Sequence, residues 1–328
     1  MIRVLSIDYV PKRTPLREEY IEEISKLDSA ILTGPVGVGK TLTLVKAFGE
    51  RMVRATCYTY RSIPHVIRTL CWRAGVHIPS RGYDTSLALA LLVRRLRDRE
   101  LVLVLDDFDY LLRRYEADKD KTNAPIELLD RLIEVRLFIV VHGGRELRIL
   151  RRKIGEILEY KPYTKAQIEE ILYSRVEESE DLLVKSSDPM LEWFLRNVDD
   201  DLIELVAWIT GYDTGGSGDC RLALELLNRA CVYARMSNER LSREHIKMSY
   251  MDVIDMDVLR SLYEPPLALR TTSIKRVKRL SRDIWIKLLE GELDELDPRV
   301  LRVLKDARLI RDGEVLIPKG RLMEWIKG

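Results

Sequence analysis

The sequence predicts an α/β fold: a three-layer domain around a parallel sheet, then a smaller helical domain, then a short C-terminal module. Three observations carry this reading. Up to about Tyr163, short apolar runs of strand length alternate with stretches of helical spacing, the pattern that builds a parallel sheet covered by helices on both faces. From Thr164 to about residue 254 the spacing is helical throughout. Beyond Asp255 a basic segment, two helical stretches and an Asp-Gly turn follow. The expected boundaries are therefore 1–163, 164–254 and 255–328, and 328 residues suit two or three domains better than one core.

The strongest motif is Gly34-Pro35-Val36-Gly37-Val38-Gly39-Lys40-Thr41, which fills the pattern G-x-x-x-x-G-K-[ST]. Ala30 to Thr33 before it reads as a buried strand, and Leu42 to Phe48 after it reads as a helix. That context makes the pattern a phosphate site. The glycines let the backbone curl so that successive N–H groups point at phosphate oxygens. The following helix aims the positive end of its dipole at the same place. Lys40 is placed to reach the outer phosphates of ATP or ADP, and the Thr41 hydroxyl to ligate Mg²⁺.

The remaining elements follow in order. An extended arm through Tyr9, Val10 and Pro11 leads to a helix expected to start at Thr14 as cap, with Pro15 in its first turn. Val53 to Tyr58 reads as a strand, and Ser62 to Ala74 as a helix ended by Gly75. Thr85 is expected to cap a helix reaching Arg97. Leu101 to Leu105 and Leu137 to Val141 are continuous apolar runs, suited to the middle of a parallel sheet. A helix from Pro125 to Val135 lies between them, after a charged loop over 116–123. The helical part comprises 164–177, 190–198, 201–209, 221–235 and 242–250. At the end, Ile284 to Leu289 and Pro298 to Ala307 read as helices, and Ile310 to Ile317 as a hairpin around Asp312-Gly313. Helix, helix and hairpin are compatible with a small winged-helix-like domain.

Asp106 and Asp107 end the Leu101 run, at the carboxyl edge where parallel α/β sheets bind ligands. Asp106 is the candidate second metal residue and Asp107 the candidate catalytic residue that orients the attacking water. Composition excludes other classes. No apolar run reaches membrane-span length, and the start of the chain lacks a signal-peptide design. The four cysteines and four histidines show no metal-ligand spacing. A cytoplasmic protein without a membrane partner is expected.

With these residues in place, the chain resembles the archaeal replication initiators related to the eukaryotic origin recognition complex, within the AAA+ ATPases. Tyr9-Val10-Pro11 with Pro15 to Glu19 resembles the family's segment beside the adenine. Gly75 to Pro79 with Arg81-Gly82 resembles its initiator-specific insertion, and Asp106-Asp107-Phe108-Asp109 its D-E-I-D. Lys161 to Thr164, with Gln167, Ile168, Ile171, Leu172 and Arg175, resembles the start of its lid. Gly218 to Leu224 resembles its second sensor. The resemblance implies a P-loop AAA+ domain, a helical lid, and ATP between them. Tyr163 and Ile171 would pack near the adenine, and Arg221 would act on the γ-phosphate. Three departures stand out: Asp107 replaces a glutamate, His142-Gly143-Gly144-Arg145 replaces the usual polar first sensor, and the C-terminal portion is shorter than a typical winged helix. The first two argue for slow hydrolysis. Arg148, Arg151 and Arg152 are candidates for a finger arginine acting on a neighbouring protomer.

DNA is the expected macromolecular partner. From Arg270 to Gly328 there are 15 Lys or Arg against 10 Asp or Glu, a net +5. Such a stretch neutralises phosphates and gives salt-sensitive affinity. The candidate contacts are Lys275, Arg276, Lys278 and Arg279 in the basic run, Arg299 and Arg302 on the Pro298 helix, Lys319 after the hairpin, and Arg81 by resemblance. The reading is an ATP-binding initiator that recognises duplex DNA at an origin, with other initiator protomers or a replicative helicase as further partners. An active ATPase of a mobile element or helicase-loading system, and a non-hydrolysing nucleotide-dependent regulatory module, are the alternatives.

Overall fold

The structure is a computed structural model describing residues 2–60, 62–79, 82–116, 123–263, 277, 280–307, 309–311 and 313–327. The chain forms two compact units: an α/β unit of Val10–Ser174 with Ile209–Arg221, and a helical unit of Met1–Tyr9, Arg175–Trp208 and Leu222–Gly328.

In the α/β unit five strands form one parallel sheet: β1 (Ser29–Thr33), β2 (Met52–Thr56), β3 (Val102–Asp106), β4 (Leu137–Val141) and β5 (Ile157–Glu159), in the order β2-β3-β4-β1-β5. Every residue of β3 and β4 is buried, as their unbroken apolar runs predict for strands covered on both faces. Helices α1 (Glu18–Lys26), α2 (Lys40–Phe48), α3 (Ile63–Arg73), α4 (Thr85–Asp98), α5 (Phe108–Glu116), α6 (Ala124–Leu132) and α7 (Glu146–Arg151) supply the layers. One face of the sheet buries Ile31, Leu103, Leu105 and Ile139 against Val66, Ile67, Leu70 and Leu92. Register pairs Thr33 with Val141 and Thr56 with Asp106. The loops after β1, β3 and β4 therefore leave the sheet at one edge.

Local chemistry sets several boundaries differently from the sequence reading. The first helix begins at Glu18, not at a Thr14 cap. Leu16 takes φ 67°, off the helical path, and Thr14 to Arg17 close a turn through Arg17 N–H to Thr14 O at 3.1 Å. The helix at 85 is capped by Asp84 rather than Thr85. Its Oδ1 accepts from the N–H groups of Ser86 at 2.7 Å and Leu87 at 3.3 Å, and a carboxylate also suits the positive helix end. Strand β2 stops at Thr56, whose carbonyl accepts from both Thr59 and Tyr60. Helix α5 follows straight after the Asp106 cluster, where the sequence reading places no helix.

From Lys165 to Tyr263 the chain is helical, as expected: α8 (Lys165–Ser186), α9 (Pro189–Asn197), α10 (Asp200–Thr210), α11 (Cys220–Met236) and α12 (Arg243–Tyr263). In the helical unit Leu191, Phe194, Leu202, Leu226, Leu227 and Ile246 are buried. The chain's first residues join this unit: Ile2 donates its N–H to Asn228 Oδ1 at 2.9 Å, and Val4 and Leu5 are buried in a 3-10 turn. The C-terminal part contains α13 (Arg282–Glu290), α14 (Pro298–Asp306), the antiparallel strands β6 (Ile310–Arg311) and β7 (Glu314–Val315), and α15 (Lys319–Lys327). No helix among the described residues is long and apolar enough to cross a membrane.

The hairpin is tied to α12. Glu314 accepts from Arg243 at 2.8 Å and Lys247 at 3.0 Å, while Arg243 also reaches Asp201 at 2.7 Å. Burial opposes the Glu314 charge, but the hydrogen bonds and charges of Lys247 and Arg243 outweigh it and hold the carboxyl below its ordinary range. A depressed carboxyl stabilises the fold above its unfolded pKa, and that contribution is lost as pH falls through the folded value. Glu314→Gln is therefore expected to cost about 1 kcal/mol at neutral pH. The difference from wild type should close below about pH 4, as thermal unfolding followed by circular dichroism across pH will show.

Candidate functional site

The loop between β1 and α2 is built as the motif demands. Gly34, Gly37 and Gly39 have φ of 139°, 77° and 90°, values open to glycine and costly for other residues. The loop is also clad too closely for side chains. A Cβ on Gly37 would fall 1.5 Å from Asp219 Oδ1, and one on Gly34 would fall 2.3 Å from Tyr160 O. Cys220 N–H donates to Gly37 O at 3.2 Å, so the start of α11 is pinned to the loop. Asp219 Oδ1 in turn accepts from Arg221 N–H at 2.8 Å.

Lys40 opens α2 and turns its ammonium back on the loop, donating to Gly34 O and Pro35 O at 2.6 Å each. Burial, then the Arg221 charge, lower its pKa to about 8 against the opposing pull of Asp106, Asp107 and Asp109. Arg221 thus lies close enough for its charge to be felt at Lys40, which joins two of the predicted nucleotide residues. Thr41 Oγ1 donates to Asp106 Oδ2 at 3.1 Å, joining the two predicted metal residues. These hard oxygens are the donors Mg²⁺ prefers. The same Oδ2, however, is held by Arg54 Nη2 at 2.6 Å, and Asp106 is 3% exposed. As the residues stand, Thr41 fits a magnesium ion and Asp106 does not.

Asp107 has φ 55°, and burial, then the neighbouring Asp106 charge, raise its pKa against the favourable charge of His142. His142 spans two carboxylates: Nε2 is 3.6 Å from Asp107 Oδ1 and Nδ1 is 3.3 Å from Asp109 Oδ1. Asp109 is fully buried and paired with Arg113 at 3.1 Å, which also reaches Glu146 at 2.9 Å. The residue in the first-sensor position therefore belongs to a charged chain running from Asp107 to Glu146.

Arg17 carries a function the sequence reading left unassigned. It is 6% exposed, donates from Nε to Val38 O at 3.0 Å, and lies over Tyr163 at 4.2 Å, Tyr20 at 5.3 Å and Tyr160 at 5.4 Å. It braces the phosphate loop from behind. The signal was an arginine beside a turn proline, with no local hint that it is buried. Tyr163 is itself buried, its backbone N–H donating to Gly218 O at 3.1 Å, and Ile171 is buried on α8. Pro11 is buried and Val10 exposed. Tyr9, in the helical unit, donates to Glu178 Oε1 at 2.8 Å beneath the Arg175 guanidinium. Of the DNA candidates, Arg299 and Arg302 are exposed on α14 and Lys319 is exposed at the start of α15. Arg81, Lys275, Arg276, Lys278 and Arg279 lie outside the described residues.

Comparison with known proteins follows the same lines. The Cdc6 AAA+ ATPase-type lid domain family matches residues 196–250. The chain is 24% identical over 313 residues to the ORC1-type DNA replication protein 2 of Saccharolobus solfataricus, spanning 79% of this chain and 72% of that protein. Over most of its length the chain is similar to archaeal ORC1-type DNA replication proteins. Its fold is similar to that of the Aeropyrum pernix ORC2 protein, solved as ADPNP-ADP complexes, at 18% identity and TM-score 0.62, covering 99% of this chain and 88% of that one. It is likewise similar to the A. pernix ORC1 protein in complex with DNA, at 20% identity and TM-score 0.61, covering 99% and 95%. The segment matched by the lid family runs from the end of α9 to α12 and includes Asp219 and Arg221.

The contact between Gly37 and Asp219 gives a double-mutant test. Gly37→Ala is expected to weaken binding of a fluorescent ADP analogue at least about tenfold, from the clash and from the positive φ together. In an Asp219→Ala background the same substitution should cost less, because the clash is gone and only the backbone strain remains.

Proposed function

We propose that this chain is an adenine-nucleotide-binding replication initiator that recognises duplex DNA, probing nucleotide state through the Arg221 end of α11. The observation that carries the reading is the grouping of Lys40, Thr41, Asp106 and Arg221 around one phosphate loop. The names and bound partners of the relatives, a DNA replication protein, a nucleotide complex and a DNA complex, support it. In this reading residues 1–163 form the nucleotide domain, 164–254 the lid and 255–328 the DNA-binding module. Backbone N–H groups from Gly34 to Thr41 surround the phosphates, and Lys40 leaves its two carbonyls to pair with them. Tyr163 and Ile171 flank the base.

Hydrolysis in this reading is slow. Asp107 carries a shorter side chain than glutamate, leaves β3 with a left-handed backbone, and faces His142. Any Mg²⁺ accompanying the nucleotide meets the Thr41 hydroxyl. DNA contact falls to the exposed Arg299, Arg302 and Lys319 and to the basic run before them, with other protomers or a helicase as further partners.

Two measurements test this. Lys40→Ala should reduce ATP affinity by at least about 100-fold in calorimetry, the loss of a charged hydrogen-bond donor from a buried phosphate site; unchanged affinity would refute the nucleotide reading. In band-shift titrations, wild-type affinity for duplex DNA should fall steeply with salt. The Arg299→Ala, Arg302→Ala double variant should flatten that salt slope by about two. An affinity indifferent to salt would remove DNA as the partner of this module.

A further inference from the structure

We infer that Arg54 is a built-in cation that stands in for the divalent metal at the Asp106 carboxylate, so that this chain binds adenine nucleotide with little dependence on Mg²⁺. The inference rests on the nucleotide reading above and concerns how that site is neutralised.

Arg54 lies in β2, the strand at the edge of the sheet, beside the fully buried β3; Val53 and Ala55 are buried, and the Arg54 side chain between them is 32% exposed. The register sets Arg54 opposite Val104 and Thr56 opposite Asp106. Side chains two apart share a face, so Arg54 projects on the same side as Thr56. From there its Nη2 meets Asp106 Oδ2 at 2.6 Å, a charge-assisted contact. Arg54 Nε is buried with no hydrogen-bond partner. A buried donor left unmade is costly, and Asp106 is the one acidic group paired with this guanidinium among the described contacts. The guanidinium is thus committed to that single oxygen.

That oxygen is also the one facing Thr41 at 3.1 Å, which is where a carboxylate would steady a metal or its water shell. A cation of fixed charge already occupies it. Asp106 therefore offers a dication little net attraction. Lys40 and Arg221 still supply positive charge for the phosphates, and neither needs the metal to be in place. The consequence is nucleotide affinity nearly equal with and without magnesium, and a carboxylate that is unlocked only when Arg54 is removed.

The test is titration of a fluorescent ADP analogue into the full chain, once in excess MgCl₂ and once in EDTA. Wild type should show dissociation constants within about threefold of each other. Arg54→Met should open a ratio of about tenfold or more in favour of magnesium, a factor of ten corresponding to a modest change in binding free energy. Arg54→Lys, which keeps the charge, should hold the ratio near the wild-type value. A wild type that binds tightly only with magnesium overturns the inference, and so does an Arg54→Met ratio equal to that of wild type. A wild type that binds nucleotide in neither buffer overturns the nucleotide reading instead. If Arg54→Met fails to fold, the wild-type ratio and Arg54→Lys decide the matter by themselves.

Discussion

The constraint on which the α/β unit turns is the concentration of carboxylates at the end of β3. Asp106, Asp107 and Asp109 fall within four residues, and Asp106 and Asp109 are buried. Buried carboxylates are tolerated only when cations and hydrogen-bond donors meet them. The surrounding architecture supplies these from different elements: Thr41 from α2, Arg54 from β2, Arg113 from α5 and His142 from the end of β4. Each of these positions follows from the parallel register, which brings the ends of four strands to one edge. The phosphate loop sits at that edge because β1 ends there too. A nucleotide placed among these acids would add further negative charge, which Lys40, Arg221 and the loop N–H groups are positioned to answer.

Much of this was legible in the sequence. The eight-residue loop, its flanking strand and helix, and the two apolar runs of β3 and β4 are local patterns with local causes. The sequence reading made Thr41 and Asp106 joint magnesium ligands; the two meet through a hydrogen bond, but Arg54 holds the same carboxylate oxygen. Arg17 and Arg54 were not legible as site residues. A charged residue reads as solvent-facing until its partners are known. The partners of Arg17, Tyr160 and Tyr163, stand more than 140 positions away along the chain. Local rules were overridden in the same way at Leu16, whose left-handed backbone moves the helix start to Glu18. The turn this creates is what presents Arg17 to the loop.

On the lid side of the site, where sequence speaks only through resemblance, packing supplies the physical reason for the residues present. Glycine at position 37 is explained twice over: by its φ and by the carboxylate of Asp219 pressed against it. The same carboxylate caps the backbone that carries Arg221. Gly37, Asp219 and the backbone of Arg221 thus belong to one contiguous set of contacts, with Cys220 N–H on Gly37 O beside it.

At the other end of the chain, charge is divided by use. Arg243 and Lys247 are spent on Asp201 and Glu314, fixing the hairpin to α12. Arg299, Arg302 and Lys305 stand exposed at a spacing of three along α14, while Leu304 is buried beneath them. Spacing of three keeps side chains on one helix face, so the three cations form a stripe. A stripe held at fixed spacing on a helix is better matched to a row of phosphates than the same charges on a loose tail, because less side-chain and backbone freedom is lost when it docks. The ion pairs of Arg243 and Lys247 with Glu314 meanwhile fix the hairpin that follows α14 to α12.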